Sequence, residues 1–479
     1  MSVLPTDAAA SPVRKGMVEH MAKLFGTDGV RDIAGVKLTC EFAMRIGQAA
    51  ALALTQPHGS ARSKVVIGKD TRASSDMLEQ AVSAGLTAMG VDVVLLGVIP
   101  TPAVAWLCAK YEADAGIVIS ASHNPYEHNG IKIFGKGGRK LTDAQQEAIE
   151  ALLSQSEGFP AGKSGNEIGR VYYLSTAAQE YVEHLAGVAQ GYFPDFKVVV
   201  DAANGAASTT VGLLAKRLAI PMVIINDQPD GVNINDNCGS TAPEALCRAV
   251  VANRARLGIA LDGDADRVVA VDEKGEVVDG DKLIAVFASY LKEKGRLTQD
   301  KVAVTVMSNL GLVQYLKELG IDCVQTAVGD RNVLEAMERE NLALGGEQSG
   351  HLILREYAAT GDGQLAMVFL LSILYEKQMF LSRMASRMER FPQVVVNVRV
   401  SEQTKKTFAQ NETFLACKQE MEEELEQKGR ILIRPSGTEP VLRVMVEGSC
   451  METVNQYAVR LAQVLADIDR GEQEGQKEE

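Results

Sequence analysis

Histidine is scarce in this sequence, with 6 among 479 residues, and tryptophan occurs once. The histidines are too few and too scattered for a His-based metal centre. The seven cysteines (Cys40, Cys108, Cys238, Cys247, Cys323, Cys417 and Cys450) are odd in number and dispersed, and they form no C-x-x-C pair. That pattern argues against a disulfide framework or a zinc site and favours free thiols in a reducing cytoplasm. No apolar run approaches the roughly 20 residues needed to cross a bilayer. The longest, over residues 365–375, reads as a buried helix. The first 20 residues lack the apolar core of a signal peptide and read as a flexible extension, with Met21 as an alternative start. Positive charge is also in deficit: 49 Lys+Arg stand against 62 Asp+Glu, for a net charge of -13. A general nucleic-acid binder with a basic face is thereby disfavoured. Small anionic ligands are not, because local Arg clusters and backbone N–H groups override the global sign.

What is present is the raw material of several packed cores. Hydrophobic residues make up 46% and charged residues 23%, the usual balance of a folded protein. The length allows about three domains, or four if one is small. Three segments resemble one another: KVVIGKDTR from Lys64, KVVVDAANG from Lys197 and KVAVTVMSN from Lys301. Each opens as a short β-branched run suited to a buried parallel strand. Apolar residues at helical spacing follow: Val82, Leu86 and Met89; then Val211, Leu214, Ala215 and Leu218; then Leu312, Tyr315, Leu316 and Leu319. A second strand comes next, from Val91, Pro221 and Ile321. Strand, helix, strand is a βαβ unit. The expected fold class is therefore α/β: three related α/β domains with mixed, largely parallel sheets.

After about Phe391 the texture changes. VVVNVRV reads as a strand, residues 408–427 as a charged helix, and ILIRPSGTEPVLRVMVEG from Ile431 as strand, loop, strand. Residues 454–468 read as a closing helix. This is a smaller C-terminal α+β domain. The expected division is 1–20 extension, 21–178 domain I, 179–276 domain II, 277–390 domain III, 391–470 domain IV and 471–479 frayed tail.

Each α/β domain offers one polar, Gly-containing loop. ISASHNP, ending at Pro125, puts serines beside a turn rich in Asn and Pro, where a hydroxyl meets a ligand. No G-x-S-x-G elbow surrounds them, so a hydrolase triad is not indicated. LDGDADR, ending at Arg267, alternates Asp262, Asp264 and Asp266, which point to one side of an extended loop. Three close carboxylates repel unless a cation neutralises them, and hard oxygen ligands suit Mg²⁺ or Ca²⁺. An EF-hand is the rival: Glu273 stands at the twelfth position, but Arg267 occupies the sixth, where Gly is needed. GGEQSGH, ending at His351, collects a carboxylate, a hydroxyl and an imidazole among glycines, and Glu347 and Ser349 can read the hydroxyls of a polar ligand such as a sugar. RPSGTEPVLR, residues 434–443, has the composition of a phosphate clamp without being a P-loop. FGTDGVRD and GKDTRASS are two further Gly/Asp/Arg turns; Arg72 reads as a salt-bridge partner, and Arg31 as either that or a functional residue.

Taken together, FGTDGVR, SASHNP, NGIK, GVNINDNCGST, LDGDADR, VGDR, GGEQSGH, TGDG and RPSGTEPVLRVMVE resemble the α-D-phosphohexomutase superfamily, and within it the phosphoglucosamine mutase branch. The resemblance runs from about Lys23 to Leu465. It implies four domains around a central cleft and a phosphoserine at Ser122, not Ser120. It gives Mg²⁺ to Asp262, Asp264 and Asp266 with the Ser122 oxygen, and the sugar to His123, Glu347 and Ser349. Arg434, Ser436, Gly437, Thr438 and Arg443 would hold the phosphate that is not reacting. Lys132, His351 and Arg31 are the candidates for proton transfer or for steadying the phosphoryl group. The implied reaction interconverts glucosamine 6-phosphate and glucosamine 1-phosphate through glucosamine 1,6-bisphosphate, with that compound or glucose 1,6-bisphosphate as activator. It feeds UDP-N-acetylglucosamine and cell-wall precursor synthesis in the cytoplasm. Expected partners are sugar phosphates, with a homodimer as the candidate assembly and neither nucleic acid nor membrane. Phosphomannomutase or phosphoglucomutase activity is the nearest alternative; a non-catalytic sugar-phosphate binder and a Ca²⁺ module are the others. Asp32, Ser75 and Ala327 depart from the branch, which usually has Gly, Gly and Lys there.

Overall fold

The computed structural model describes residues 24–26, 29–55, 62–155, 159–426, 428–436 and 440–478, with side chains up to residue 471. The expected N-terminal extension over residues 1–20 lies outside the described residues. The first sheet contains β1 (Val30–Ile33), β2 (Lys64–Lys69), β3 (Asp92–Val98), β4 (Ala115–Ile119), β5 (His128–Gly135), β6 (Arg139–Lys140) and β7 (Val171–Tyr173). Its order is β1-β5-β4-β2-β3-β7, with β6 on β5. The second contains β8 (Val198–Asp201), β9 (Met222–Ile225), β10 (Leu257–Leu261), β11 (Val268–Val271) and β12 (Val277–Val278), in the order β12-β11-β10-β8-β9. The third contains β13 (Lys301–Thr305), β14 (Asp322–Thr326), β15 (Leu344–Gly346) and β16 (Leu352–Leu354), in the order β14-β13-β15-β16.

The three repeats are built alike. Parallel pairing joins β2 with β3 and β4, β8 with β9 and β10, and β13 with β15. The last of these parallel strands then turns back into an antiparallel partner: β4 into β5, β10 into β11, β15 into β16. Each functional loop is the turn of that hairpin. The central strands β2, β4, β8, β10, β13 and β15 are buried apart from their lysine ends, and the Val- and Ile-rich runs of most of them follow from that. The apolar run around residue 370 is the helix Gly363–Lys377, buried from Gly363 to Leu374 as expected.

The described chain divides into two compact units, one within residues 24–305 with 324–384, the other within residues 306–323 with 385–478. The smaller unit holds β17 (Gln393–Arg399), β18 (Gly429–Pro435) and β19 (Val441–Gly448) in the order β17-β19-β18, all antiparallel. The helix Leu310–Glu318, expected to complete the third repeat, belongs to this unit. The buried carboxylate of Glu447 explains why: it accepts from the Leu310 N–H (2.9 Å) and from Arg430 Nε (2.7 Å). Two details differ from expectation. The charged segment is not one helix from residue 408: Asn411 caps a helix Glu412–Glu424 by accepting from the Phe414 N–H. The closing helix runs Met451–Glu478, well past Ile468 and through the stretch expected to fray.

Candidate active site

Ser122 follows β4 in the first hairpin turn and is fully buried. Its φ is 53°, a left-handed conformation that a non-glycine residue keeps only when its surroundings hold it. They do. Arg72 Nη2 donates to the carbonyls of Ser122 (2.9 Å) and Asn124 (2.9 Å), and Nη1 to that of Pro125 (2.6 Å). Asn235 Nδ2 donates to Ser122 O as well (2.9 Å). The Arg72 guanidinium is itself fixed by Asp70 (Nε to Oδ2, 2.8 Å), whose other oxygen accepts from Ser75 Oγ (2.8 Å). Arg72 is thus a buried salt-bridge partner, as its sequence context suggests. The Ser122 N–H donates to Ser120 Oγ (3.0 Å), so Ser120 supports the turn while Ser122 presents its hydroxyl.

That hydroxyl meets the turn of the second hairpin. Ser122 Oγ donates to Asp262 Oδ2 at 2.5 Å. Asp262, Asp264 and Asp266 are all buried and each offers an oxygen within 4.8 Å of the others. The approach is possible because residue 263 is glycine: a Cβ there would lie 2.5 Å from Ser122 O. Lys132, projecting from β5, reaches Asp264 Oδ2 (2.7 Å) and Asp266 Oδ2 (3.4 Å). Thr101, at the start of the helix Thr101–Lys110, donates its hydroxyl to Asp264 Oδ2 (2.6 Å) and its N–H to Asp264 O (3.0 Å). Asp264 Oδ1 and Asp266 Oδ1 are nevertheless buried with no hydrogen-bond partner. Orphaned carboxylate oxygens are costly. An all-carboxylate set with two oxygens outside any hydrogen bond, one of them 3.9 Å from Arg267 Nε, fits a hard divalent cation such as Mg²⁺. The EF-hand alternative fails at Glu273, which accepts from the Ser382 hydroxyl and N–H instead.

The electrostatics split the triad. Burial, then the nearby Asp266 and Asp264 charges, push the Asp262 carboxyl well above the usual range. Burial also works against the Asp266 charge, but Lys132, His351 and Arg267 outweigh it and hold that carboxyl well below. His123 Nδ1 lies 3.4 Å from Ser122 Oγ; burial, with Arg267 and Arg31, drives its pKa down to about 4, so the ring is neutral near pH 7. Arg31 stands on β1 opposite Gly130 of β5, two residues from Lys132.

The third hairpin turn completes the cluster. The buried His351 places Nδ1 3.8 Å from Asp266 Oδ2 and Nε2 3.7 Å from Asp330 Oδ2. Asp330 is in turn ion-paired with Lys140. Glu347 Oε1 accepts from the Gly329 N–H (3.0 Å), and Ser349 Oγ lies 3.5 Å from Glu347 Oε2. The turn docks on the aspartate hairpin through Val268 N–H to Gly350 O (3.0 Å). One compact unit therefore brings together Ser122, His123, Arg31, Lys132, the three aspartates, Glu347, Ser349 and His351.

Arg434, Ser436 and Arg443 belong to the smaller unit. Arg434 and Arg443 are register partners on β18 and β19, so two guanidinium groups leave the same face. Ser436 N–H donates to Val441 O (2.9 Å) and closes the hairpin. Gly437 and Thr438 lie outside the described residues. Of the three departures, Ser75 joins the network behind Ser122 and also accepts from Asn129 Nδ2 (3.0 Å). Asp32 caps its own turn and pairs with Lys37 (3.5 Å), and the Ala327 carbonyl accepts from Thr326 Oγ1 (2.9 Å). Thr101, Asn235 and the Lys140–Asp330 pair were given no role by the sequence. Asn235 lies inside GVNINDNCGST and Asp330 inside VGDR; Thr101 and Lys140 are single polar residues without a spacing to mark them.

Four consecutive domain families match the chain: phosphoglucomutase/phosphomannomutase alpha/beta/alpha domain I over residues 22–158, domain II over 179–275, domain III over 279–391 and the C-terminal domain over 395–464. The chain belongs to the phosphoglucomutase/phosphomannomutase family. Its members are phosphohexomutases, which are isomerases. Among its relatives is a phosphoglucosamine mutase of Thermoanaerobacter pseudethanolicus, 47% identical over 445 residues, covering 93% of this chain and 99% of that protein. A solved phosphoglucomutase/phosphomannomutase family protein of Burkholderia thailandensis shares the family fold with a TM-score of 0.76 at 24% identity, covering 91% of this chain and 97% of that one. The Aspergillus fumigatus N-acetylphosphoglucosamine mutase, solved with GlcNAc-6P and magnesium, superposes with a TM-score of 0.59 at 20% identity, covering 85% and 83%. Among the described residues no helix is long and apolar enough to cross a membrane.

Proposed function

We propose that this chain is a phosphoglucosamine mutase that interconverts glucosamine 6-phosphate and glucosamine 1-phosphate through a phosphorylated Ser122, a cytoplasmic step toward UDP-N-acetylglucosamine. The reading rests above all on the Ser122 hydroxyl lying 2.5 Å from a buried carboxylate triad with two oxygens that accept no hydrogen bond. The choice of sugar is supported by relatives of this name at 45–48% identity over nearly the whole chain.

In the proposed cycle phospho-Ser122 first gives its phosphoryl group to the 1-hydroxyl of glucosamine 6-phosphate. The P–Oγ bond breaks, a P–O1 bond forms, and the hydroxyl proton leaves the sugar for Ser122 Oγ by way of a neighbouring base. The product is glucosamine 1,6-bisphosphate. After that intermediate turns over, Ser122 Oγ takes the 6-phosphoryl group, and the proton returns to O6. Such transfers need positioning and charge neutralisation more than covalent help. Mg²⁺, held by Asp262, Asp264, Asp266 and the Ser122 oxygen, supplies that neutralisation when bound. Lys132 and His351 are the groups we assign to proton movement, and Arg31 to the phosphoryl oxygens. Glu347 and Ser349 read the sugar hydroxyls, with neutral His123 beside the serine. For the hairpin of the smaller unit we propose a grip on the non-reacting phosphate by Arg434, Ser436, Gly437, Thr438 and Arg443.

Intact mass tests the core of this. Incubation with glucosamine 1,6-bisphosphate or glucose 1,6-bisphosphate is expected to add one phosphate, mapping to Ser122. A phosphate on another residue, or none, overturns the mechanism. Turnover of glucosamine, mannose and glucose phosphates side by side tests the substrate: a clear preference for mannose or glucose esters makes the enzyme a phosphomannomutase or phosphoglucomutase instead.

A further inference from the structure

The TGDG turn, residues 360–363, has no task in the reaction described above. In the structure its three successive N–H groups serve three different places. Gly361 donates to Nε2 of His351 (3.0 Å). Asp362 donates to the Leu352 carbonyl (3.3 Å) and Gly363 to the carbonyl of Ala265 (3.0 Å), inside the metal loop. Both glycines are required by close approach. A Cβ on Gly361 would lie 2.6 Å from three ring atoms of His351, and one on Gly363 would lie 2.6 Å from Arg267 O. Ala265 has a φ of 58°, so the metal loop is strained at the residue whose carbonyl this turn holds.

The turn is fastened from behind. Asp362 caps the helix Gly363–Lys377 by accepting from the Leu365 N–H (2.9 Å). Its two oxygens lie 2.9 and 2.8 Å from the hydroxyl of Tyr181, a fully buried residue of the helix Ala177–Val188. The consequence reaches His351. Because Gly361 N–H donates to Nε2, that nitrogen carries a lone pair, and the proton of the neutral ring sits on Nδ1, facing Asp266. This is the minor tautomer of imidazole in water, so the protein selects it.

We propose that Tyr181 is a positioning residue: through Asp362 it fixes the TGDG turn, and the turn sets the His351 tautomer and the metal loop in one register. The effect on rate rests on the phosphomutase reading; the tautomer does not. Full-length protein with ¹⁵N-labelled histidine, in the presence of Mg²⁺, carries only six histidines, and His351→Gln identifies the resonance. We expect the Nδ1–H form in the native protein and a mixture of tautomers in Tyr181→Phe, which keeps the ring and removes the hydroxyl. With glucosamine 6-phosphate, Tyr181→Phe is expected to lower kcat ten- to thirtyfold and leave KM within twofold. Asp362→Asn keeps an acceptor for both Tyr181 and Leu365 and is expected to stay within threefold of native kcat. An Nε2–H form in the native protein overturns the proposal, whatever the variants do. So does a folded Tyr181→Phe with native tautomer and kcat, or an Asp362→Asn protein no more active than Asp362→Ala. If no hexose phosphate is turned over, the mutase reading fails, and the tautomer spectra still decide the role of Tyr181.

Discussion

The serine turn and the C-terminal hairpin both use arginine, and they use it in opposite ways. Arg72 is buried, and its donors are spent on Asp70 and on three carbonyls of the turn that carries Ser122. Arg434 and Arg443 are half-buried and stand opposite one another across two strands. The first arrangement uses charge to hold a strained backbone in place. The second concentrates like charge on one face, a pairing that ordinarily weakens a sheet. One arginine is an internal brace; the other two are the pair for which a phosphate grip is proposed.

Substitutions separate these roles. The largest effect is expected at the group the brace presents: Ser122→Ala should lower turnover by about 10⁴-fold or more, with little change in stability, in a coupled assay for glucosamine 1-phosphate. Arg72→Met strands Asp70 and three turn carbonyls, and chemical denaturation should show a loss of about 3–5 kcal/mol. If Arg72→Met were as stable as the native protein, the brace would not exist. Gly263→Ala drives a methyl group against Ser122 O and should cost about 1–3 kcal/mol, with a loss of turnover beyond what unfolding explains. At the cation cluster pH is the probe. The raised Asp262 carboxyl must lose its proton for the cation to bind, so calorimetric Mn²⁺ affinity should rise with pH, by up to about tenfold per unit while Asp262 titrates. The same raised group binds protons in the folded state that the unfolded chain has released. Its contribution to the stability of the cation-free protein is therefore lost as pH rises above the ordinary Asp pKa of about 3.9. The smallest effect on stability is expected at the hairpin: Arg443→Leu should change it by no more than about 0.5 kcal/mol, or raise it slightly, while KM for sugar phosphate increases severalfold.

The sequence made the repeated frame legible, since Lys64, Lys197 and Lys301 each open a Val-rich strand and each repeat ends in a hairpin whose turn is a polar, Gly-containing loop. The aspartate triad was legible too, because alternation puts three carboxylates on one side. The packing of the helix Leu310–Glu318 was not. Its allegiance is decided by Glu447, more than a hundred residues later, whose buried carboxylate takes a backbone N–H that no local pattern announces. The break before Glu412 turned on one capping asparagine inside a run of helix formers. Tyr181 and Thr101 escaped for a related reason: a single polar residue on an apolar helix has no period, and its value depends on what faces it across the fold.

Thr101 also limits how this protein tolerates exchange of its parts. It comes from the first α/β repeat, yet both its main chain and its hydroxyl are committed to Asp264 in the second. A chimera that joins the first repeat of one relative to the second of another inherits this seam. It should work only when the donor brings a hydroxyl at the start of that helix, so compatible crossover points are set by one residue rather than by overall similarity.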